Sequence, residues 1–398
     1  LTHIDVTVER VAHGGICVGR SDGRVVFVRH AIPGERVRAV ITEEHTNYLR
    51  ADAVEIIEAS ADRVTPPCAY AGPGRCGGCD WQHVSLDAQR ALKAAVVQEQ
   101  LQRLAGLDLD VEVVPLPDGA AAATPGLGWR TRVGFAVRND GVAGLHRHRS
   151  HDIEPIDDCL IAHPLIHAAE ITAKPWPGAS RVDVTVAVAT GERMIAVTPR
   201  RGRRPRRDRS VVTEYAAGRS WRVTGSGFWQ VHPAAADVLV AAVVEALDPQ
   251  PGDDVIDLYA GVGLFAGAIA SRVAPDGTVV AIESEADAVA DATYNLRDLD
   301  NVHVRRGRAA DVLERIDQAD LVVLDPPRAG AGPHVMRRLA AIAPRRVAYV
   351  SCDPATLARD LATAMASGLD VVGVRAFDLF PMTAHVECVA TLAPAGER

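Results

Sequence analysis

"DVIDLYAGVGLFAGAIA", residues 254–270, holds the reading on which the rest of the chain turns. A short apolar run ends in Gly261-Val262-Gly263, and an apolar stretch with helical spacing follows at once. Two glycines at such a junction allow positive φ and let a ligand approach the backbone at the positive end of the next helix. The third glycine of the dinucleotide fingerprint is missing, so the turn points to a nucleotide-type cofactor without choosing one. The next strand-like run, "VVAIESE" (279–285), ends in Glu283, an acid placed to accept hydrogen bonds from ribose hydroxyls. "LVVLDPPRAG" (321–330) brings Asp325 to a third strand end. With "VHVRR", "RVAYV" and "VVGVRAF", these runs alternate with helical segments, the pattern of a mostly parallel sheet covered on both faces.

The chain has 398 residues, 48% hydrophobic and 24% charged, enough for two or three domains. Its net charge of −8 argues against a generally basic nucleic-acid coat but leaves room for local basic patches. No apolar run reaches membrane-spanning length and the start has no signal-peptide pattern, so a cytoplasmic protein without membrane contact, acting as a monomer, is expected. Residues 1–58 alternate apolar and polar positions between Gly14-Gly15, Asp22-Gly23 and Pro33-Gly34, which predicts a small β-barrel. Residues 59–222 begin with a Pro/Gly/Cys-rich stretch. A helix at 84–106 follows, with Ser85 as N-cap and Leu92, Val96, Leu101 and Leu104 on one face, and then short strands. Residues 223–398 form the α/β part.

Seven cysteines, at 17, 68, 76, 79, 159, 352 and 388, are an odd number and unevenly clustered. Metal or catalytic use fits that better than a disulfide framework. Cys68, Cys76, Cys79 and the distant Cys159 could hold tetrahedral zinc or an iron–sulfur cluster, and spacing alone does not choose. Cys17 and Cys388 read as packing residues. Cys352 stands apart: "YVSCDP" (349–354) puts a thiol at the exit of a buried strand, on the edge where open α/β sheets bind their ligands.

Five strings together resemble the S-adenosylmethionine-dependent RNA uridine-5 methyltransferases, which make 5-methyluridine. They are "GSGFWQVHP" (225–233), "DLYAGVGLF" (257–265), "LDPPRAG" (324–330), "YVSCDP" (349–354) and "FPMTAHVECV" (380–389). The front resembles a TRAM domain, an OB-like RNA-binding barrel, and the middle resembles the family's central RNA-binding domain with its iron–sulfur site. The resemblance implies a Rossmann-like class I methyltransferase domain with a seven-stranded, mostly parallel sheet, and a mixed β-rich central domain. It also implies that the helix at 84–106 packs on the catalytic domain. For the four cysteines it favours a 4Fe–4S cluster over zinc.

Uracil C5 is too poor a nucleophile to attack a methyl sulfonium directly, whereas a thiolate added at C6 makes C5 an enolate carbon. The resemblance gives that thiolate to Cys352 and removal of the C5 proton to Glu387, with His385 on the same face. It gives the cofactor to Gln230, Tyr259, Gly261, Gly263, Glu283 and Asp325. Leu264 stands where many members have a polar residue, and Asp311 is the one acid offered for the adenine. RNA would be held by the barrel arginines (10, 20, 24, 29, 36, 38 and 50), by "WRTRVGF" and "LHRHRSHD", and by the seven arginines within 200–209. The target uridine must be unpaired or flipped. Cytosine-5 methylation, and an RNA-binding or folding factor with a relict site, are the alternatives.

Overall fold

The computed structural model describes residues 2–117, 124–201, 210–225 and 227–396. At the front, β1 (His3–Val11), β2 (Cys17–Ser21), β3 (Arg24–Arg29), β4 (Arg36–Glu44) and β5 (Tyr48–Glu58) close into a barrel in the order β1-β2-β3-β5-β4. Alternation does the work here: Val6, Val8, Val26, Val28, Val37 and Ala39 fill the interior while their neighbours face out. Buried Glu35 accepts both arms of Arg63 (2.6 and 2.7 Å) and so ties the barrel to the segment that follows.

That segment carries α1 (Leu86–Gln100), extended by a single π-helical stretch, 101–105, and then β6 (Val113–Pro115). The Ser85 side chain makes no cap bond, although its carbonyl accepts the Gln89 N–H. The central sheet has the order β11-β10-β7-β8-β9, from β7 (Arg132–Val137), β8 (Ala143–His146), β9 (Ile153–Pro155), β10 (Ala179–Ala187) and β11 (Glu192–Pro199). A short helix α2 (Pro164–His167) covers it. The hairpin β12 (Val211–Ala216) and β13 (Arg219–Thr224) stands as its own two-stranded sheet, and Trp221 and Val223 join the core of the α/β part.

The large sheet runs β16-β15-β14-β17-β18-β20-β19-β6. Its strands are β14 (Val255–Leu258), β15 (Val279–Glu283), β16 (Val302–Arg306), β17 (Leu321–Leu324), β18 (Arg346–Ser351), β19 (Leu369–Asp378) and β20 (Glu387–Pro394), with β6 added. β14 to β18 are parallel, and β20 turns antiparallel against β18. The sheet therefore has eight strands where seven were expected. The extra one, β6, comes from the segment before the central sheet and pairs with β19 through three residues.

Helices α3 (Ala235–Leu247), α4 (Leu264–Val273) and α5 (Ala286–Asn295) lie on one face. On the other lie α6 (Ala309–Leu313), α7 (Gly332–Ile342), α8 (Pro354–Ala366) and α1. The strands' two-residue period divides them between these layers. Val255, Val323 and Val350 point to the first, and Ile256, Leu324 and Tyr349 to the second. α1 thus packs on α8, with Val97 and Leu101 in the same core as Leu357 and Leu361.

Candidate functional site

β14, β15, β17 and β18 all end at one edge of the sheet, and each delivers a candidate residue there. After β14, Tyr259 takes φ +63, Gly261 φ +56 and Gly263 φ +92. A side chain on Gly261 would meet nothing, so the turn leaves open space directly over the backbone. Asp257 underneath is fully buried. One of its oxygens accepts the Ala266 N–H (2.9 Å), while the other, Oδ1, has no partner among the described residues. Glu283, at the end of β15, accepts the Gly261 N–H (2.9 Å) and the Ser284 and Glu285 N–H groups (2.6 and 2.8 Å). Its carboxylate therefore braces the glycine turn as well as lying at the rim.

Cys352 follows β18 directly and is half-buried. Its position is fixed from both sides: Ser351 is buried in the strand, and Asp353 caps α8 by accepting the Thr356 N–H (2.8 Å). β20 pairs with β18 so that Ser351 faces Cys388, which sets Glu387 beside the end of β18. Glu387 is 3% exposed. Asp325 lies at the end of β17, and the loop after it is held by Asp360, whose Oδ2 accepts from Ala331 N and from the Tyr349 hydroxyl (2.9 and 2.6 Å). That loop carries Arg328, which sits 3.4 Å from the exposed His385 ring.

The electrostatics are one-sided. Burial, reinforced by Glu387 and Asp325, pushes the Cys352 thiol up to about 11 against the opposing pull of Arg328 and a backbone N–H. Loss of hydration and the neighbouring Asp325 hold Glu387 well above the usual carboxylate range. Burial takes Asp325 to about 7 and Asp257 to about 8, the latter with help from Asp325 and Glu283. Asp257, Glu283, Asp325 and Glu387 thus crowd one sheet edge, and the repulsion among them would be relieved by a cationic ligand.

Gln230 is nearly buried and its amide makes no hydrogen bond among the described residues. Leu264 packs into the core as the first residue of α4 and offers the rim nothing polar. Asp311 is exposed on α6, with Arg308 as its neighbour at 3.9 Å. Sequence reasoning put Arg328 at the same strand end as Asp325 but gave it no role; a cation beside a candidate thiolate was the available signal.

Cys68, Cys76, Cys79 and Cys159 line one cavity of about 280 Å³. Three sulfurs have donors pointed at them: Gly78 N–H to Cys76 (3.4 Å), the Gln82 amide to Cys79 (3.4 Å), and backbone N–H groups of Ile161 and Ala162 near Cys159. Among the described residues no three Cys, His, Asp or Glu side chains close to single-ion spacing. The wall of this cavity is continuous with the edge that carries Cys352 and Glu387, because Cys79 and Cys159 pack with Trp129, Trp129 meets Phe380, and Phe380 meets His385.

The arginines divide sharply. Arg10, Arg24, Arg36 and Arg38 are each paired with carboxylates at 2.7–3.1 Å, and Arg20 lies 3.7 Å from Glu9. Of the 200–209 run, Arg200 turns inward to the Val137 and Ala179 carbonyls, Arg201 is exposed, and 202–209 lie outside the described residues. No helix among the described residues is long and apolar enough to cross a membrane.

Comparison with known proteins agrees with this layout. A family model described as tRNA (uracil-5-)-methyltransferase matches residues 216–394, and a TRAM-domain model matches 2–54. An uncharacterised RNA methyltransferase of Streptomyces coelicolor is 51% identical over 99% of this chain and 93% of its own length. Another, from Bifidobacterium longum, is 36% identical over 97% and 95%. Among solved structures, the tRNA (uracil-54, C5)-methyltransferase of Pyrococcus abyssi, bound to S-adenosyl-L-homocysteine, superposes with a TM-score of 0.72. That match has 22% identity and covers 98% of this chain and 99% of the other.

Proposed function

The chain belongs to the RNA uracil-5 methyltransferase family, and we propose that it methylates C5 of a uridine in ribosomal or transfer RNA through a covalent bond between Cys352 and C6. The observation that carries this reading is the meeting of Cys352 and Glu387 at adjacent strand ends beside the glycine turn. Open space over Gly261, the unpaired Gln230 amide, the orphaned Asp257 Oδ1 and the acid-rich rim fit S-adenosylmethionine. Gly261, Gly263, Tyr259, Glu283, Asp325 and Gln230 would hold it. When bound, it supplies an electrophilic methyl group on a cationic sulfur.

Cys352 Sγ adds to C6 of the flipped uracil, and the C5–C6 electron pair shifts toward O4 to give an enolate. C5 takes the methyl group. Glu387 then accepts the C5 proton, the electron pair re-forms C5=C6, and Cys352 leaves as thiolate. Burial makes both residues resist ionisation, and Arg328 together with a cationic cofactor would supply the opposite charge they need.

For the four cysteines we favour a 4Fe–4S cluster. A single zinc with sulfurs at about 2.3 Å would draw the thiolates together, whereas these surround a cavity and have N–H donors of the kind that tune cluster sulfurs. Cys68, Cys76, Cys79 and Cys159 would be the ligands, with a structural role.

The decisive experiment uses target RNA containing 5-fluorouridine, in which fluorine replaces the departing proton. Wild-type protein with S-adenosylmethionine should form an adduct stable to denaturing electrophoresis, and Cys352→Ala should form none. Adduct formation by Cys352→Ala would overturn the assignment.

A further inference from the structure

Sequence offers seven barrel arginines as equivalents, but the fold does not treat them so. Five are engaged with or near carboxylates on the outer surface. Arg29 and Arg50 face a cleft between the barrel, α1 and the β8–β9 connection, where two adjoining cavities of about 340 and 300 Å³ share Phe27, Arg29, Arg50, His148 and Arg149; the Arg10–Glu99 pair, Glu43, Asp52 and Asp80 also line it.

Arg29 is half-buried and reaches no carboxylate at hydrogen-bond distance among the described residues. Burial pulls its pKa below the ordinary value, which Asp52 and Asp80 offset only in part. Asp80 is itself engaged by the Ala384 N–H (3.1 Å). Arg149 enters from the other wall with φ +49, a left-handed conformation that a non-glycine residue holds at a cost, and it too makes no ion pair among the described residues. Arg50 lies over the rings of Phe27 and Tyr48 at 5.7 and 5.8 Å and only 3.5 Å from Glu43. Behind them His30 is half-buried, and its buried Nε2 has no partner among the described residues. Burial drops its pKa to about 3, so the positive charge in the cleft belongs to the arginines.

Cations held on opposite walls without full neutralisation suit an anion that bridges them. The cleft also opens toward the chemistry. His13, on its rim, is 3.2 Å from Asp353, the residue after Cys352. We propose that this cleft seats a phosphodiester of the RNA strand close to the target nucleotide, gripped by Arg29 from the barrel and Arg149 from the central domain. The proposal rests on the RNA methyltransferase reading and adds where on the protein the strand is held.

The test is RNA affinity measured against salt by fluorescence anisotropy, on wild type and three variants. Arg29→Ala/Arg149→Ala should flatten the log–log slope by about 0.7, the contribution of one phosphate contact on a single strand. The control, Arg36→Ala/Arg38→Ala, removes arginines already paired with Glu58, Asp5 and Glu55 and should leave the slope within error of wild type. Arg149→Ala alone, at an exposed position, should take about half of the effect and covers the case in which the half-buried Arg29 is needed for folding. An unchanged slope in both Arg149 variants, or an equal loss in the control, overturns the cleft as the seat. Wild type without salt-dependent RNA binding would remove the underlying reading, and the cleft with it.

Discussion

In the proposed reaction Cys352 acts as a thiolate, yet its burial and the nearby Glu387 hold it near pKa 11. At pH 8 such a thiol is roughly two-hundredfold less ionised than a free one near 8.5. Alkylation of Cys352 by iodoacetamide, followed by peptide mass spectrometry, should therefore be slow at neutral pH and climb with pH to a midpoint near 11. Arg328→Gln removes the cation that lowers this pKa, so the midpoint should move up. A cofactor analogue with an ammonium group in place of the sulfonium should move it down, and S-adenosylhomocysteine, whose sulfur is neutral, should not. Asp257 gives a prediction of opposite flavour. Burial raises its carboxyl to about 8 in the folded protein, above an unfolded value near 3.9, so the native state binds the extra proton and stability falls as pH rises through that interval. Asp257→Asn can still accept the Ala266 N–H and should raise the melting temperature by a few degrees at pH 8, and by less at pH 5. The place of Cys352 at a strand exit was legible in the sequence, whereas Glu387 was marked by the resemblance and not by any local pattern. The pairing that neutralises five barrel arginines was not, since it depends on which strands lie side by side.

α1 shows how an element far back in sequence can govern the catalytic edge. Lys93 is fully buried and bonds Asp378 at 2.5 Å and the Phe380 carbonyl at 3.1 Å, while Gln89 holds both Met382 N and the Trp81 carbonyl. Helix and barrel linker together clamp 379–386, the segment that delivers His385 and Glu387. Lys93→Met leaves Asp378 buried without its partner and should cost about 3–5 kcal/mol in denaturant unfolding. Lys93→Met/Asp378→Asn should recover part of that loss. An amphipathic pattern foretold the apolar face through Val96 and Leu101, but a lysine at 93 reads as solvated until its partner, 285 positions away, is placed. The cysteine loop is a second such case. Cys76 bridges Arg147, and Gly77 N–H donates to the His146 carbonyl (3.0 Å), so the cysteines hold the hairpin that carries His148 and Arg149. Anaerobically purified protein should be brown with roughly four irons per chain. Cys79→Ser should lose the iron and weaken RNA binding while cofactor affinity stays near wild type. Zinc in place of iron would contradict the cluster.

Three segments of different architecture share one catalytic edge, and periodicity revealed more of this than might be expected of a single chain. Period-two runs with Asp-Gly and Pro-Gly turns foretold the barrel, and repeated strand–helix units foretold the parallel sheet. The eighth strand escaped notice because β6 offers three residues, too few for a pattern, and exists only through its pairing with β19. How the barrel sits was equally hidden, for it depends on contacts among Gly15, Trp81 and Ala384 that are scattered along the chain.

That seat has a practical side. The Gly15 carbonyl takes the Trp81 indole N–H (3.0 Å), and any side chain on Gly15 would collide with the Ala384 methyl. Two residues earlier, His13 holds the carboxylate that caps α8 behind Cys352. For anyone wishing to graft another nucleic-acid reader onto this enzyme, the barrel is thus not an interchangeable cassette. A chain starting at residue 59 should turn over more slowly even when RNA saturates it, and a grafted replacement would succeed only if its first loop brought a small residue and a hydrogen-bond donor to the same two places.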